Sequence, residues 1–387
     1  MVVLMPESKN NLILTNAKLV LENEVISGTI EVENGLIKSI DQTNTGLSNA
    51  VNCSGMYVSP GIIELHTDNI ERHMEPRPGV RWPIKTAVLA HDTEMGSCGI
   101  TTVFDALRVG SISKSSARYA AYARIVANAI LELKKEKLFK IDHLIHLRAE
   151  VCSETLIDEI SDFSPTDHVG IISLMDHTPG QRQWRDLKKL KEFVQGKKKV
   201  DDHDFSEHVS TLKALRNKHG ESHERFVCEQ AKKLNVVLAS HDDTTKEHVE
   251  EAASRGVKIA EFPTTKEAAI SCKEKNIAIM MGAPNLIRKG SHSGNVSALE
   301  LAQDDLLDIV SSDYVPAALF QSSMVLADLW GSLPKAMRTV TLSPAKASGL
   351  QDRGVIDIGK KADLIMFDRR KDFSLMKSVW SDGCSIF

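Results

Sequence analysis

The sequence predicts an α/β protein: a distorted (β/α)8 TIM barrel that carries a small β-sandwich domain built from both termini. Three observations support this prediction. Short apolar runs alternate with helical patterns through the middle of the chain, which is typical of a parallel sheet. Eight such runs occur, the number that a closed barrel needs. Both ends of the chain contain short strand patterns and no long helical pattern.

Length and composition agree with this architecture. The chain has 387 residues, of which 42% are hydrophobic and 26% are charged, enough for one large barrel or two ordinary domains. The net charge of −4 gives no reason to expect binding to nucleic acid or to a membrane. No apolar run approaches the roughly 20 residues that span a bilayer, and the N-terminus lacks a signal-type apolar core. We therefore expect a cytoplasmic protein.

The six cysteines are scattered along the chain without any spacing typical of metal ligands. In a chain of this size they are expected to be reduced, mostly buried thiols.

The two ends of the chain are predicted to form one domain. Near the N-terminus, strands are predicted at 12–14, 17–20, 30–32 and 36–40, with a hairpin turn at 33–35 (Glu-Asn-Gly). Near the C-terminus, segments 354–359 and 362–367 have the same character. We predict that residues 1–57 and 350–387 form the small domain. Residues 58–349 would then form the barrel, with a charged helical insert at about 185–219.

The middle of the chain supplies the barrel. Its eight candidate strands are 58–65, 101–105, 143–150, 168–176, 236–241, 258–261, 277–281 and 307–313. Helical patterns lie between them. In one of these, five apolar or aromatic residues recur at helical spacing, which indicates a core-facing stripe and not a cofactor site: Tyr119, Tyr122, Val126, Ile130 and Leu133.

The first barrel strand ends in a pair of polar residues. His66 and Asp68 lie two residues apart, so in an extended chain their side chains point to the same side. An imidazole and a carboxylate that converge in this way are suitable metal ligands. An isolated His-x-Asp would more often hydrogen-bond a neighbouring loop. Matching residues at later strand ends favour the metal site here.

Active sites of barrels form at the carboxyl ends of the strands. The polar residues at these ends are His66 and Asp68 on the first strand, Glu150 on the third, His177 just after the fourth, His241 (with Asp242 and Asp243) on the fifth and Asp313 on the eighth. Such a set suits two divalent ions with one bridging carboxylate. Two ions can activate water, polarise a phosphoryl or carbonyl oxygen and stabilise a leaving oxygen. Asp313 is the candidate proton acceptor. Zinc, manganese, iron and nickel all remain open.

Several motifs carry a resemblance to a known superfamily. They are the first barrel strand with its lead-in, Pro60-Gly61-Ile62-Ile63-Glu64-Leu65-His66-Thr67-Asp68, a late strand followed by Asp313, and a closing Gly-x-Ile-x-x-Gly-x-x-Ala-Asp-Leu at 354–364. Together with the split β-rich segment, they resemble the amidohydrolase superfamily, which implies a metal-dependent hydrolase. Three departures are visible: Asp68 replaces a more usual histidine, the fourth strand end has no bridging lysine, and the sixth strand end has no histidine. Glu150 is therefore the expected bridge.

The departures point to a narrower resemblance. It is carried by residues 66–69, 71–78, 175–183, 240–243, 261–265, 282–285, 290–295 and 312–314. These segments resemble the diphosphatases of the carbon–phosphorus lyase pathway. The resemblance implies hydrolysis of α-D-ribose 1-methylphosphonate 5-triphosphate, or more generally the 1-alkylphosphonate, to the 5-phosphate and pyrophosphate. It also implies attack at the α-phosphorus.

The loops at the proposed barrel mouth agree with such a polyanionic substrate. They contain cations and hydrogen-bond donors that are the candidate substrate-binding residues: Arg72, His73, Arg77, Arg81, Gln181, Arg182, Arg288, His292 and Asn295. Guanidinium groups match phosphate oxygens in a bidentate manner, and clustered cations concentrate polyanions. Several of these residues are nevertheless expected to be ordinary solvated surface groups.

Two other functions are compatible with a barrel of this kind. One is hydrolysis of a C–N bond by a deacetylase, deaminase or cyclic amidase, for which a cationic mouth is not needed. The other is a non-catalytic homologue, which would be expected to have lost its strand-end ligands. The sequence leaves open whether the protein forms homo-oligomers.

Overall fold

The computed structural model describes residues 11–112, 121–197, 202–291, 294–371 and 373–387. The strands in this part of the chain are β1 (Leu12–Val20), β2 (Val25–Glu33), β3 (Leu36–Asp41), β4 (Val51–Asn52), β5 (Tyr57–Pro60), β6 (Ile62–Thr67), β7 (Ile100–Val109), β8 (Asp142–Glu150), β9 (Val169–Met175), β10 (Val237–His241), β11 (Ile259–Glu261), β12 (Ala278–Gly282), β13 (Ile309–Ser311), β14 (Leu364–Arg369), β15 (Ser374–Ser381) and β16 (Cys384–Ser385).

The α-helices in the same residues are α1 (Asn69–Met74), α2 (Ile84–Ser97), α3 (Ala123–Lys135), α4 (Leu156–Ser161), α5 (Leu187–Lys197), α6 (Asp202–Leu234), α7 (Lys246–Arg255), α8 (Lys266–Glu274), α9 (Ala283–Ile287), α10 (Ala298–Gln303), α11 (Pro316–Trp330), α12 (Leu333–Arg338) and α13 (Leu342–Ala347). In α3, Val126, Ile130 and Leu133 are buried, as their spacing predicts, while Tyr119 lies outside the described residues. Among the helices described, none combines the length and the apolar character that crossing a membrane requires.

The terminal strands form one eight-stranded sheet. Its order is β16-β15-β14-β5-β1-β2-β3, and β4 pairs with β1. Neighbours are antiparallel, except that β1 runs parallel to β4 and β5. The predicted hairpin is confirmed: Asn34 and Gly35 have φ values of 54° and 80°, which suits a tight turn between twisted strands. A cluster of buried apolar residues that includes Leu14, Leu19 and Ile30 holds the sheet together.

Two details of this region differ from the prediction. Segments 12–14 and 17–20 belong to one strand, β1, whose pairing is irregular where Asn16 adopts φ 53°. The strand predicted at 354–359 is wrong, since this segment contains turns with Gly354 at φ 87° and Gly359 at φ 82°. The apolar residues there suggested a strand, but the left-handed glycines prevent an extended chain.

The second sheet contains eight strands in the order β13-β12-β11-β10-β9-β8-β7-β6, a nearly closed parallel barrel. Spatial order follows chain order, and all eight candidate strands are confirmed. The candidate at 58–65 is divided at Gly61 into β5, which joins the terminal sheet, and β6, which joins the barrel. A Cβ at Gly61 would lie 2.2 Å from Oγ1 of Thr101, so only glycine permits this close approach.

The chain divides into two compact units. The first consists of Met1–Val103, Lys137–His143 and Ile309–Phe387, and the second of Phe104–Glu136 and Leu144–Asp308. The first unit contains the terminal sheet with β6 and β13, and the second contains the strands from β9 to β12. Each unit holds part of the predicted set of polar residues.

Candidate active site

In the second unit, the register of the strands aligns their carboxyl ends. Glu150 at the end of β8 pairs with Met175 at the end of β9. His241 at the end of β10 pairs with Glu261 at the end of β11, which in turn pairs with Met280 in β12. Because these strands are parallel and end at matching levels, polar residues that end or follow them share one edge of the sheet.

The predicted ligands Glu150 and His177 contact each other at this edge. Nδ1 of His177 lies 2.5 Å from Oε2 of Glu150. Burial lowers the pKa of His177, but the adjacent Glu150 carboxylate outweighs burial, and the pKa is raised above its ordinary value. The imidazole and the carboxylate therefore form an ion pair when His177 is protonated. When His177 is neutral, both side chains can serve as metal ligands.

His241 completes a three-residue group with His177 and Asp242. The two imidazole centroids are 5.5 Å apart, and Nδ1 of His241 lies 2.6 Å from Oδ2 of Asp242. Each of the three residues offers one ligand atom, and these atoms all lie within 4.8 Å of one another. Two imidazoles and a carboxylate are donors that borderline divalent metals accept. By its donor chemistry, this group fits a metal ion.

Asp242 was outside the predicted ligand set, although the sequence places it directly beside His241. It adopts φ 55°, which turns the chain immediately after β10. A strand pattern predicts the residue that ends the strand. It does not predict that the next residue bends back towards the same point, because the bend depends on the loop.

The Asp176 carboxylate anchors the loop that carries His177. It accepts hydrogen bonds from the backbone nitrogen of Thr178 (3.0 Å), from Nε2 of Gln181 (2.7 Å) and from Nε of Arg216 (2.9 Å). The Cys152 thiol also donates to it, at 3.3 Å. Burial alone would raise the pKa of Asp176. The hydrogen bonds of Thr178 and the guanidinium groups of Arg182 and Arg216 outweigh this effect, so the pKa of Asp176 lies below its ordinary value.

Arg182 lies against the His241 segment. Its NH1 donates to the carbonyl oxygen of His241 at 3.0 Å and to Oδ1 of Asp243 at 2.7 Å. The Arg182 side chain is largely buried, and that of Asp243 is almost completely so. Arg182 therefore fixes the backbone beside His241. Any contact with substrate would have to use the rest of its guanidinium group.

A second buried acid–imidazole pair lies among the same strands. Nε2 of His146 is 3.4 Å from Oε1 of Glu261, and it also contacts Oγ of Ser173. Both side chains of the pair are fully buried, where an ionised group is stable only with polar or ionic partners. Neither residue is among the ligands that the sequence predicts. Glu261 ends a strand and could have been found by the strand-end rule, whereas His146 lies inside β8.

In the first unit, a buried carboxylate holds the end of β6 to the end of β13. Glu64 accepts hydrogen bonds from the backbone nitrogens of His66 (2.6 Å) and Ser312 (2.5 Å) and from Oγ of Ser311 (2.8 Å). Burial raises the pKa of Glu64 to about 7, although its hydrogen bonds oppose the shift. Glu64 thus holds the backbone of the predicted ligand His66 beside that of Ser312.

Asp68 and Asp313 are joined through their backbones. The amide of Asp68 donates to the carbonyl oxygen of Asp313 at 2.8 Å, and the amide of Asp313 donates to the carbonyl oxygen of His66 at 3.2 Å. An isolated parallel bridge between Thr67 and Asp313 accompanies these bonds. The three predicted metal-binding residues of this unit therefore lie on adjacent strand ends.

Arg72 and His73 lie on α1 and contact an acidic residue of α2. NH2 of Arg72 lies 2.5 Å, and Nε2 of His73 lies 2.7 Å, from the Glu94 carboxylate, which also accepts from Nδ2 of Asn69. Burial raises the pKa of Glu94, but these donors, Arg72 first, lower it to about 2. The Asn69 amide further contacts Nδ1 of His91, at 3.0 Å. The charge of Arg72 is thus partly compensated by Glu94.

The remaining predicted substrate-binding residues differ in exposure. Arg77, Arg81 and Arg288 are exposed, and Asn295 is partly buried. His292 lies outside the described residues.

The site that emerges is typical of one class of protein. Polar residues at the carboxyl ends of parallel barrel strands include a group fit to hold a divalent metal, which defines a metal-dependent hydrolase of the barrel type. A sequence profile described as the amidohydrolase family matches residues 57–384. The chain therefore belongs to the amidohydrolase family.

Comparison with individual proteins gives a more specific result. The chain is 41% identical over 379 residues to α-D-ribose 1-methylphosphonate 5-triphosphate diphosphatase of Escherichia coli (strain K12), covering 97% of this chain and 100% of that protein. It is 23% identical over 381 residues to adenine deaminase of Ligilactobacillus salivarius (strain UCC118), covering 95% of this chain but 56% of the deaminase. The resemblance to the diphosphatase is much the stronger of the two.

Solved structures confirm the fold. The 5-methylcytosine deaminase from Klebsiella pneumoniae matches with a TM-score of 0.64 at 14% identity, covering 97% of each chain. N-acetylglucosamine-6-phosphate deacetylase from Thermotoga maritima matches with a TM-score of 0.63 at 13% identity, covering 97% of this chain and 99% of the deacetylase. At such low identity these matches concern the architecture alone.

Proposed function

We propose that the protein hydrolyses α-D-ribose 1-methylphosphonate 5-triphosphate, or a related 1-alkylphosphonate, to the 5-phosphate and pyrophosphate in phosphonate catabolism. The observation that carries this proposal is the 41% identity to the Escherichia coli diphosphatase over the full length of that protein. Water would add to the α-phosphorus, the bond between the α-phosphorus and the bridging oxygen would break, and pyrophosphate would leave. Cleavage of a phosphoanhydride needs charge stabilisation more than covalent help from the protein.

The proposal includes divalent metal ions, two in number, held by the predicted strand-end residues. His177, His241 and Asp242 support it, because their donor atoms lie close together, and Glu150 contacts His177. His66, Asp68 and Asp313 complete the proposed ligands on the basis of the strand-end pattern in the sequence. When bound, such ions would lower the pKa of water and polarise a phosphoryl oxygen.

Asp313 and the substrate-binding residues have distinct proposed roles. Asp313 accepts the proton of the attacking water through its carboxylate. Arg77, Arg81, Arg288, His292 and Asn295 belong to the substrate-binding set, together with Arg72, His73, Gln181 and Arg182. Within that set, the exposed arginines attract the polyanion, while Gln181 and Arg182 hold the loops that flank His177 and His241.

Phosphorus NMR would test the reaction directly. Purified protein is incubated with ribose 1-methylphosphonate 5-triphosphate and a divalent metal in water labelled with oxygen-18. We expect pyrophosphate without label and a 5-phosphate that carries the label, because water attacks the α-phosphorus. Release of orthophosphate, label in pyrophosphate, or ammonia release from C–N substrates in place of phosphoanhydride cleavage would each contradict the proposal.

Metal analysis of two variants would test the ligand set. We expect His177→Ala to lower the bound metal per chain, measured by mass spectrometry, because it removes one imidazole from the three-residue group. His168→Asn is a matched control, since His168 is exposed and adopts φ 55°, which asparagine tolerates. Equal metal content in the two variants would exclude His177 as a ligand.

The proposal also covers location and domain organisation. All six cysteines are free, in agreement with a reducing compartment such as the cytoplasm. We propose that residues 1–57 and 350–387 form the small domain and that residues 58–349 form the catalytic barrel.

A further inference from the structure

A buried glycine lies in the interior of α6, the longest helix in the described part of the chain. Gly220 is far from both ends of this 33-residue helix, and its φ is not positive, so no turn or helix end requires it there. Apart from proline, glycine is the residue that least favours a helix interior, because it loses the most conformational freedom. The backbone of α6 therefore gives no reason for a glycine at this position.

The side chain of Arg216 runs over the helix surface at Gly220. Its Nε donates to Oδ2 of Asp176 at 2.9 Å, and its NH2 donates to Oε1 of Glu224 at 2.8 Å. Glu224 lies eight residues further along the helix, a rise of about 12 Å. Helical side chains lean towards the N-terminus. One that reaches towards the C-terminus must therefore cross the residue four positions ahead, which here is Gly220.

A side chain at position 220 would collide with Arg216. A Cβ at Gly220 would lie 2.6 Å from Cζ and 2.7 Å from Cδ of Arg216, and closer still to NH1. Carbon atoms in contact are normally about 3.5–4.0 Å apart. The guanidinium group is bonded to Asp176 and to Glu224, and both of these carboxylates are more than nine-tenths buried. Alanine at position 220 would therefore displace the guanidinium group from its two partners.

Asp176 connects Arg216 to the proposed metal group. It directly precedes His177, and its carboxylate closes the loop by accepting hydrogen bonds from the amide of Thr178 and from Nε2 of Gln181. Groups that orient a ligand without touching the metal affect metal affinity, typically by 10-fold to 100-fold. Loss of the Arg216 bond would leave this loop with one anchor fewer.

We infer that Gly220 is a positioning residue: because it has no side chain, Arg216 can hold Asp176 and so fix the loop that presents His177 to a metal ion. The ligand role of His177 rests on the proposed function, whereas the placement of Arg216 does not. If Gly220 were only a weak helix former, alanine would stabilise α6. The two explanations predict effects of opposite sign.

Urea unfolding of the metal-free protein tests the placement of Arg216. Gly220→Ala would be made in the wild type and in the Arg216→Met variant. We expect the urea midpoint to fall in the wild-type background, because two buried carboxylates lose their guanidinium partner. In the Arg216→Met background it should rise, because no guanidinium group is left to displace and alanine favours the helix. A rise in both backgrounds would overturn the inference.

Zinc titration tests the effect on the metal group. We expect Gly220→Ala to raise the Kd for zinc about tenfold in the wild-type background and to cause no further rise in the Arg216→Met background. Activity at limiting zinc should fall, while kcat at saturating zinc should change much less. A zinc Kd equal to that of the wild type would contradict the positioning role.

Asn217→Ala is the matched control. Asn217 is an exposed residue of α6, and alanine favours a helix more than asparagine does. This variant should raise the urea midpoint in both backgrounds and leave the zinc Kd unchanged. A fall in its midpoint equal to that of Gly220→Ala would overturn the inference. If the wild type binds no zinc, the proposed metal group is wrong, but the urea midpoints still decide whether Gly220 positions Arg216.

Discussion

Single residues with left-handed backbone geometry follow several barrel strands. Asp242 after β10, Phe262 after β11 and Asp313 after β13 have φ values of 55°, 55° and 57°. This conformation costs side-chain-bearing residues roughly 1–3 kcal/mol, most for those that are bulky, and it concentrates at functional sites. Phe262 is the least favourable of the three residues. The sharp turns place polar groups directly behind the strand ends, where a metal-dependent hydrolase needs them.

The first prediction concerns Asp313. We expect Asp313→Asn to lower kcat by about 10²–10⁴, because the variant removes the proposed proton acceptor. Asparagine tolerates the left-handed conformation, and the bonds that join Asp313 to Asp68 and His66 use backbone atoms. The fold should therefore survive, and the other proposed ligands should still hold metal although Asp313 is one of the set, as checked by circular dichroism and metal analysis. A kcat equal to that of the wild type would remove Asp313 from the proton-transfer role.

At the scale of secondary structure elements, α6 supports the loop that carries His177. This 33-residue helix contributes Arg216, which contacts Asp176 at 2.9 Å and Glu224 at 2.8 Å. Glu224 is also paired with Arg255, at 2.9 Å. The segment from 185 to 219, predicted as a solvated helical excursion, thus contributes Arg216 to an ion-pair network that ends at Asp176, the residue preceding His177.

The second prediction tests this network. We expect Arg216→Met to lower the free energy of unfolding by about 2 kcal/mol, because it leaves buried carboxylates with fewer partners; the partial exposure of Arg216 limits the loss. Metal affinity should also fall, since the loop carrying His177 loses an anchor. Urea titration and metal titration would measure the two effects.

Arg225→Met on the same helix is the control. Arg225 is 71% exposed and its partner Glu221 is 84% exposed, so their pair at 3.8 Å should contribute almost nothing. Equal stability and metal affinity in the two variants would show that Arg216 has no anchoring role.

The third prediction concerns the contact between β6 and β13. Glu64→Gln would place an amide donor where the Glu64 carboxylate now accepts from two backbone amides. Because one buried donor loses its acceptor, we expect the free energy of unfolding to fall by about 1–3 kcal/mol. Thermal unfolding would measure this change, with the exposed Glu274→Gln as a control. A Glu64→Gln variant as stable as that control would contradict the assigned role.

At the scale of the whole molecule, a buried residue, Asp363, ties the C-terminal strands to the segment before β6. Oδ1 of Asp363 accepts from the amide of Asp382 at 2.9 Å, and its carbonyl oxygen accepts from the amide of Gly61 at 2.7 Å. Burial raises the pKa of Asp363 to about 6, although Arg353 opposes the shift. This group therefore makes the stability of the molecule dependent on pH.

The fourth prediction follows from the sign of that shift. Between about pH 4 and 6, the folded protein binds more protons at Asp363 than the unfolded chain does, so this residue lowers stability as the pH rises. We expect the free energy of unfolding of Asp363→Asn, relative to the wild type, to increase over this interval and then level off. Urea midpoints measured at several pH values would reveal this. A constant difference between the two proteins would mean that Asp363 titrates normally.

Much of the architecture could be predicted because it depends on local patterns. The eight barrel strands were identified from apolar runs, and the hairpin at Asn34 and Gly35 from turn chemistry. The division at Gly61 was missed because an apolar run does not reveal which sheet each half will join. The false strand at 354–359 arose because apolar periodicity does not show that glycines adopt left-handed angles.

In the candidate site, too, local patterns predicted some residues, whereas contacts between distant segments could not be predicted. Glu150, His177 and His241 were selected from strand ends, and in the second unit they lie together. His146 was missed because a buried histidine inside a strand looks like any other core residue. Arg182 was expected to bind substrate, yet its contact with Asp243 could not be foreseen from residues 61 positions apart.

By itself, the sequence determined the order of strands and helices, the ends of the strands and the kinds of side chain placed there. These properties follow from side-chain periodicity and turn preference, which act over a few neighbouring residues. Only the tertiary structure decided which polar group pairs with which: Glu94 with Arg72, Asp243 with Arg182, and Asp176 with Arg216. Such pairing depends on which segments become neighbours in space, and folding alone establishes that.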